Sequence, residues 1–175
     1  ESKAIQYFER AAKFAQPMSM KNIARYYIQG EIVKKDISKG IQYFLKASEF
    51  GNSTASGTLG NYYENGFCVE KNIAKAIEYY DKAAQQGDVE GLVNIGIIYR
   101  NGKCVKRDYS KAKVYFEKAA KFNHPAAINN LGVLYENGEG VEQNYIKARV
   151  YYERAIELGV YDSLSKIGAF YTKGQ

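Results

Sequence analysis

Displacing the sequence by 36 residues brings five segments into register without one insertion or deletion. Tyr7, Tyr43, Tyr79, Tyr115 and Tyr151 form one column, and the next position is always aromatic, as Phe8, Phe44, Tyr80, Phe116 and Tyr152. A second column holds Tyr27, Tyr63, Tyr99, Tyr135 and Tyr171, followed three residues later by Gly30, Gly66, Gly102, Gly138 and Gly174. Self-similarity at a fixed period of roughly 20 to 50 residues restricts a chain to a solenoid, in which each unit buries its apolar face against its neighbours. The expected organisation of residues 1–175 is therefore a single array of five 36-residue helix-turn-helix repeats, all-α, without a second domain.

Within each copy the spacing of Ala76, Tyr79, Tyr80 and Ala83 is i, i+3, i+4, i+7, one apolar stripe of a helix. Asp36, Asn72, Asp108 and Asn144 supply cap oxygens for its first turn, and Gly51, Gly87, Asn123 and Gly159 tolerate the left-handed conformation past its end. These features predict outer helices over 1–14, 37–50, 73–86, 109–122 and 145–158. A connection of about two residues then forces an antiparallel neighbour, giving inner helices over 17–29, 53–65, 89–101, 125–137 and 161–173, two of them opened by Pro17 and Pro125. Gly60, Gly96, Gly132 and Gly168 fill a mid-helix column from which only Ala24 departs. Glycine there costs about 0.5–1 kcal/mol relative to alanine, so the column predicts close contact with the bulky aromatics of the outer helices. The returning loop carries one apolar anchor, Val33, Val69, Val105 or Val141.

The pattern Ala127-x-x-x-Leu131-Gly132-x-x-Tyr135-x-x-Gly138, then Val141 and Asn144, then Lys147-Ala148-x-x-Tyr151-Tyr152-x-Arg154-Ala155 resembles the Sel-one-like repeat family, a 36-residue relative of the tetratricopeptide repeat. The resemblance runs over the whole chain. Tyrosine stands where many members carry tryptophan, and Met20 and Lys21 depart from the small or apolar residues usual there. The resemblance implies a right-handed α-α solenoid acting as a protein-interaction scaffold or adaptor. Neither terminal copy turns polar as a capping repeat would, which leads to the expectation that this is a segment of a longer array.

Catalytic chemistry finds no footing. Cys68 and Cys104 hold equivalent loop positions in adjacent copies, about 8–10 Å apart by helix spacing, beyond the about 7 Å a disulfide spans. Free thiols, and with them a reducing, cytoplasmic setting, are expected. No metal-like spacing or cofactor motif occurs. The only histidine, His124, precedes a helix at a turn and reads as a turn or capping residue. The carboxylates scatter at helical spacing, with Glu78 to Lys82 and Glu117 to Lys121 as i,i+4 pairs. No long apolar run suggests membrane insertion.

Two function classes remain. The net charge of +6 includes two basic columns, Lys3, Lys39, Lys75, Lys111, Lys147 and Arg10, Lys46, Lys82, Lys118, Arg154. Two helical turns separate them, so they form one stripe on the outer helices. The alternative function is an RNA-binding array using that stripe. A solvated face whose long stems cover aromatic neighbours is preferred, and nucleic acid is disfavoured as a partner. The leading function is a scaffold binding a peptide or partner helix of another protein. In tetratricopeptide-like arrays the inner helices line the concave side, which places the candidate groove at Asn22, Arg25, Asn61, Glu64, Glu90, Val93, Asn94, Ile97, Arg100, Asn129, Asn130, Val133 and Glu136. The asparagines suit an extended backbone, Val93 and Ile97 would supply apolar pockets, and Arg25 and Arg100 would pair acidic side chains.

Overall fold

The computed structural model describes residues 3–102 and 104–172, and among them every regular element is a helix. Gly174 and the outermost residues of the first and last expected helices (1, 2 and 173) lie outside the described residues. The helices are α1 Lys3–Lys13, α2 Pro17–Gln29, α3 Ile37–Glu49, α4 Ser53–Asn65, α5 Ile73–Gln85, α6 Glu90–Asn101, α7 Tyr109–Ala120, α8 Pro125–Asn137, α9 Tyr145–Glu157 and α10 Ser163–Thr172. They form two compact units, Glu1–Gly91 and Leu92–Gln175.

The expected stops and starts are where the backbone needs them. Asp36, Asn72, Asp108 and Asn144 accept the N–H three residues on at 2.8–3.0 Å. Their own N–H groups donate to the carbonyls of Tyr27, Tyr63, Tyr99 and Tyr135 at 2.8–2.9 Å, closing each returning loop. Inner helices α2, α4 and α8 end on Gly30, Gly66 and Gly138 at φ 71–76°, a conformation costly for any residue with a Cβ. His124 is the N-cap residue of α8, but its side chain makes no capping hydrogen bond.

In the first unit α2 packs on α1 and α3, and α4 on α3 and α5; in the second, α8 packs on α7 and α9, and α10 on α9. The aromatic column Phe44, Tyr80, Phe116 and Tyr152 is buried. The glycine column is their seat. A Cβ at Gly60 would lie 2.6 Å from the Tyr80 ring, at Gly96 2.5 Å from Phe116, and at Gly132 2.7 Å from Tyr152. The close contact expected of these glycines is thus with the outer helix of the following repeat. Gly168 faces nothing within 4 Å.

The first unit also contains a polar insertion in its core. Ser48 and Ser56 are fully buried with hydroxyls 2.7 Å apart, Ser56 donates to Gln86 Oε1 at 2.6 Å, and Gln86 Nε2 donates to the Ser48 carbonyl at 2.8 Å. Two repeats further on the same three positions are Ala120, Ile128 and Leu158. The three substitutions go together because each of these buried groups needs the others as partners.

Candidate functional site

The two tyrosine columns lie on each other. Tyr27 and Tyr43, Tyr63 and Tyr79, Tyr99 and Tyr115, and Tyr135 and Tyr151 stack at 5.5–6.0 Å with interplanar angles of 3–14°. Lys39, Lys75, Lys111 and Lys147 place their ammonium groups 4.2–5.3 Å from the centroids of Tyr27, Tyr63, Tyr99 and Tyr135, contacts worth about 0.5–1 kcal/mol at exposed sites. In the other basic column Lys46 and Lys118 lie over Tyr43 and Tyr115. Arg154 donates to the Ala120 carbonyl at 3.2 Å and to Asn123 Oδ1 at 2.6 Å. The basic stripe is thus largely engaged by the protein itself. Glu117 joins Lys113 at 2.6 Å rather than the expected Lys121, because the N-terminal neighbour on the same face reaches it.

Several expected groove residues do internal work. The Tyr80 hydroxyl donates to Glu64 Oε2 at 2.7 Å and the Tyr152 hydroxyl to Glu136 Oε2 at 2.5 Å. Burial, followed by the glutamate acceptor, pushes both phenols far above their ordinary value. Lys166 adds to Glu136 at 3.4 Å. Arg100 is not free for an acidic partner: Nε donates to Glu139 Oε2 at 2.8 Å and Nη1 to Asn130 Oδ1 at 3.3 Å. Asn130 in turn donates to the Ala126 carbonyl, and Asn129 accepts from the Ser163 hydroxyl at 2.9 Å. Val93 is 1% exposed and cannot offer an apolar pocket to a partner. Its column faces the start of the following inner helix, as the Asn129 to Ser163 bond and the approach of Asp88 to Gly57 demonstrate. Val133 packs against the Ala148, Tyr152 and Phe170 core. Asn61, Glu90 and Arg25 are exposed, and Asn22, Asn94 and Ile97 are half-buried.

Asn22 and Arg25 are brought together, on the rim of a well of about 350 Å³ between α2 and α4 in the first unit. Ile28, Phe44, Tyr62 and Phe67 form its apolar side, and Lys21 joins the rim. Phe44 meets Tyr62 edge-on at 5.8 Å, and Tyr62 meets Phe67 at 5.0 Å. Column averages hide this site. The available signal is departure from the column: Phe67 stands where other copies have Glu31, Lys103, Glu139 and Gln175, and Ile28 where they have Glu64, Arg100, Glu136 and Thr172.

Both cysteines are free thiols, and burial raises the Cys68 thiol above its ordinary value. Among the described residues no three metal-ligating side chains cluster, and no helix is long and apolar enough to cross a membrane.

Comparison with curated proteins returns no match. Among solved structures, a protective antigen of uropathogenic Escherichia coli with an SLR fold is 29% identical at a TM-score of 0.88, covering 97% of this chain and 36% of its own. A Sel1 repeat protein from Oxalobacter formigenes is 30% identical at a TM-score of 0.83, covering 98% and 70%. The cysteine-rich protein B of Helicobacter pylori is 32% identical at a TM-score of 0.56, covering 78% and 98%. The chain thus spans about a third of the first of these and most of the other two. The Sel1 repeat profile matches residues 1–13, 17–52, 59–88, 89–123 and 125–160. With the helix pairs, the glycine seats and the 36-residue period, these matches establish that the chain belongs to the Sel1 repeat family, an all-helical solenoid fold.

Proposed function

We propose that the chain is a non-catalytic scaffold that binds a peptide or helix of another protein on its inner-helix face. Sel1 repeat proteins are in general protein-interaction scaffolds. The observation that carries the inner face is the contrast between the two sides of the repeat. Outer-helix lysines sit over tyrosine rings, and the cleft on α7 and α9 is edged by Lys118, Lys121 and Arg154. The well between α2 and α4 is instead walled by Ile28, Phe44, Tyr62 and Phe67, with Asn22 at its rim beside Arg25, which lies 5.6 Å from the Tyr26 centroid. A row of cations already held over aromatic faces is a poor phosphate track, and this places the RNA reading second.

The test compares a partner captured from native extract across two variant sets. Asn22→Ala with Arg25→Ala should weaken it, while Lys75→Ala with Lys111→Ala should leave it intact. Affinity should change little between about 50 and 200 mM salt, a range over which a complex driven by many phosphate contacts weakens steeply. Loss of binding only in the lysine variant, with a steep salt slope, would move the site to the outer helices and reverse the proposal.

A further inference from the structure

Resting on that scaffold reading, we infer that the well between α2 and α4 docks a linear segment of a partner protein through one large apolar side chain flanked by carboxylates. The repeat arithmetic carries the argument. Two repeats further on, the positions equivalent to Ile28, Thr58 and Phe67 are Arg100, Asn130 and Glu139. There the guanidinium bonds Glu139 and Asn130 at 2.8 and 3.3 Å, so the protein fills the place with its own ion pair. In the first unit no such pair can form, and the space is an apolar well of about 350 Å³, within the range of ligand pockets.

Two further features shape the well. Ile28, only 6% exposed, has room because Gly40 stands where the later copies have Ala76, Ala112 and Ala148; a Cβ at Gly40 would be 2.5 Å from Ile28 Cγ1. Phe67 is 53% exposed, held against Tyr62 at 5.0 Å, in a column that is polar in the other copies. A half-exposed aromatic beside a well has an unsatisfied apolar face. The rim sets the charge of the occupant. Among the described residues Lys21 and Arg25 are the charged ones lining the well, with no carboxylate beside them. An apolar anchor brings the desolvation gain, and acidic neighbours meet the two cations.

The probe is a phage-displayed library of random linear peptides panned against the intact protein, followed by fluorescence anisotropy with the enriched peptide. The expected consensus is an aromatic or long aliphatic residue with Asp or Glu on either side. Affinity should fall about tenfold or more, some 1.4 kcal/mol per decade, in Arg25→Glu and in Phe67→Ala, both on exposed positions. Ile28→Arg with Thr58→Asn and Phe67→Glu, which installs the later copy's ion pair, should abolish binding with the helical signal and melting midpoint retained. Peptides that bind with full affinity to that triple variant, or that are insensitive to Arg25→Glu, would overturn this inference and leave the scaffold reading intact. Displacement of the peptide by a random RNA oligonucleotide at equal concentration would also overturn it. Enriched peptides that bind the outer helices, losing affinity only in Lys75→Ala with Lys111→Ala, would remove the scaffold reading together with it.

Discussion

A tyrosine hydroxyl in the core needs an acceptor, and the chain supplies one from the preceding inner helix. Glu64 serves Tyr80 and Glu136 serves Tyr152, while Phe44 and Phe116, which have no hydroxyl, follow Ile28 and Arg100. The coupling should appear in a double-mutant cycle. Tyr80→Phe and Glu64→Ala each remove a charge-assisted hydrogen bond, and the interaction term should be about 1.5–3 kcal/mol, read from urea midpoints. Strict additivity would show that the pair is a contact without energetic weight. The pairing was open to view in the sequence as a correlation between two columns. It was hidden because a glutamate at helical spacing on an apparently polar face looks like surface until the aromatic facing it is known. Arg100 was obscured in the same way, since its partner Glu139 lies one repeat further on, in a loop column that holds Glu31, Phe67 and Lys103 in the preceding copies and so shows no constant charge.

At the scale of the helix, the glycine column can be tested against a helical glycine outside it. Gly96→Ala drives a Cβ to 2.5 Å from the fully buried Phe116 ring, and should cost about 1–3 kcal/mol by overpacking. Gly57→Ala in α4, where a Cβ meets only Asp88 Oδ2 at an ordinary 3.5 Å, should instead stabilise that helix by about 0.5–1 kcal/mol through helix propensity. Thermal midpoints moving in opposite directions would confirm that the column is a seat for aromatics; equal shifts would refute it. The helices themselves were legible almost to the residue, because cap residues, helix-ending glycines and loop length all repeat with the same period. The half-buried state of the stacked tyrosines other than the buried Tyr27 was not legible. Apolar periodicity cannot distinguish a ring inside the core from a ring lying on another ring with a lysine above it.

Over the whole molecule, many tyrosines tie stability to alkaline pH. Burial raises Tyr43, Tyr62, Tyr79 and Tyr151, and raises Tyr80 and Tyr152 most. Below their ordinary value of 10.0 both folded and unfolded chains keep these protons. Above it the unfolded chain loses them first, so it binds fewer protons and stability falls as pH rises. Urea midpoints measured between about pH 8 and 11 should therefore decline, and the decline should be shallower in Tyr80→Phe with Tyr152→Phe. A pH-independent midpoint would contradict the raised phenols. The alternation of glutamate–tyrosine with phenylalanine pairs has one more consequence, which concerns errors of assembly. Arrays of near-copies misfold by exchanging equivalent segments, and here the alternation acts as a parity check. A segment misplaced by one repeat sets the carboxylate of Glu64 or Glu136 against a phenylalanine, or a tyrosine hydroxyl against Ile28 or Arg100. A segment misplaced by two repeats restores the glutamate–tyrosine match but exchanges Ile28 for Arg100 and Ser56 for Ile128, so mis-docked forms in even steps carry fewer faults and should outnumber those in odd steps.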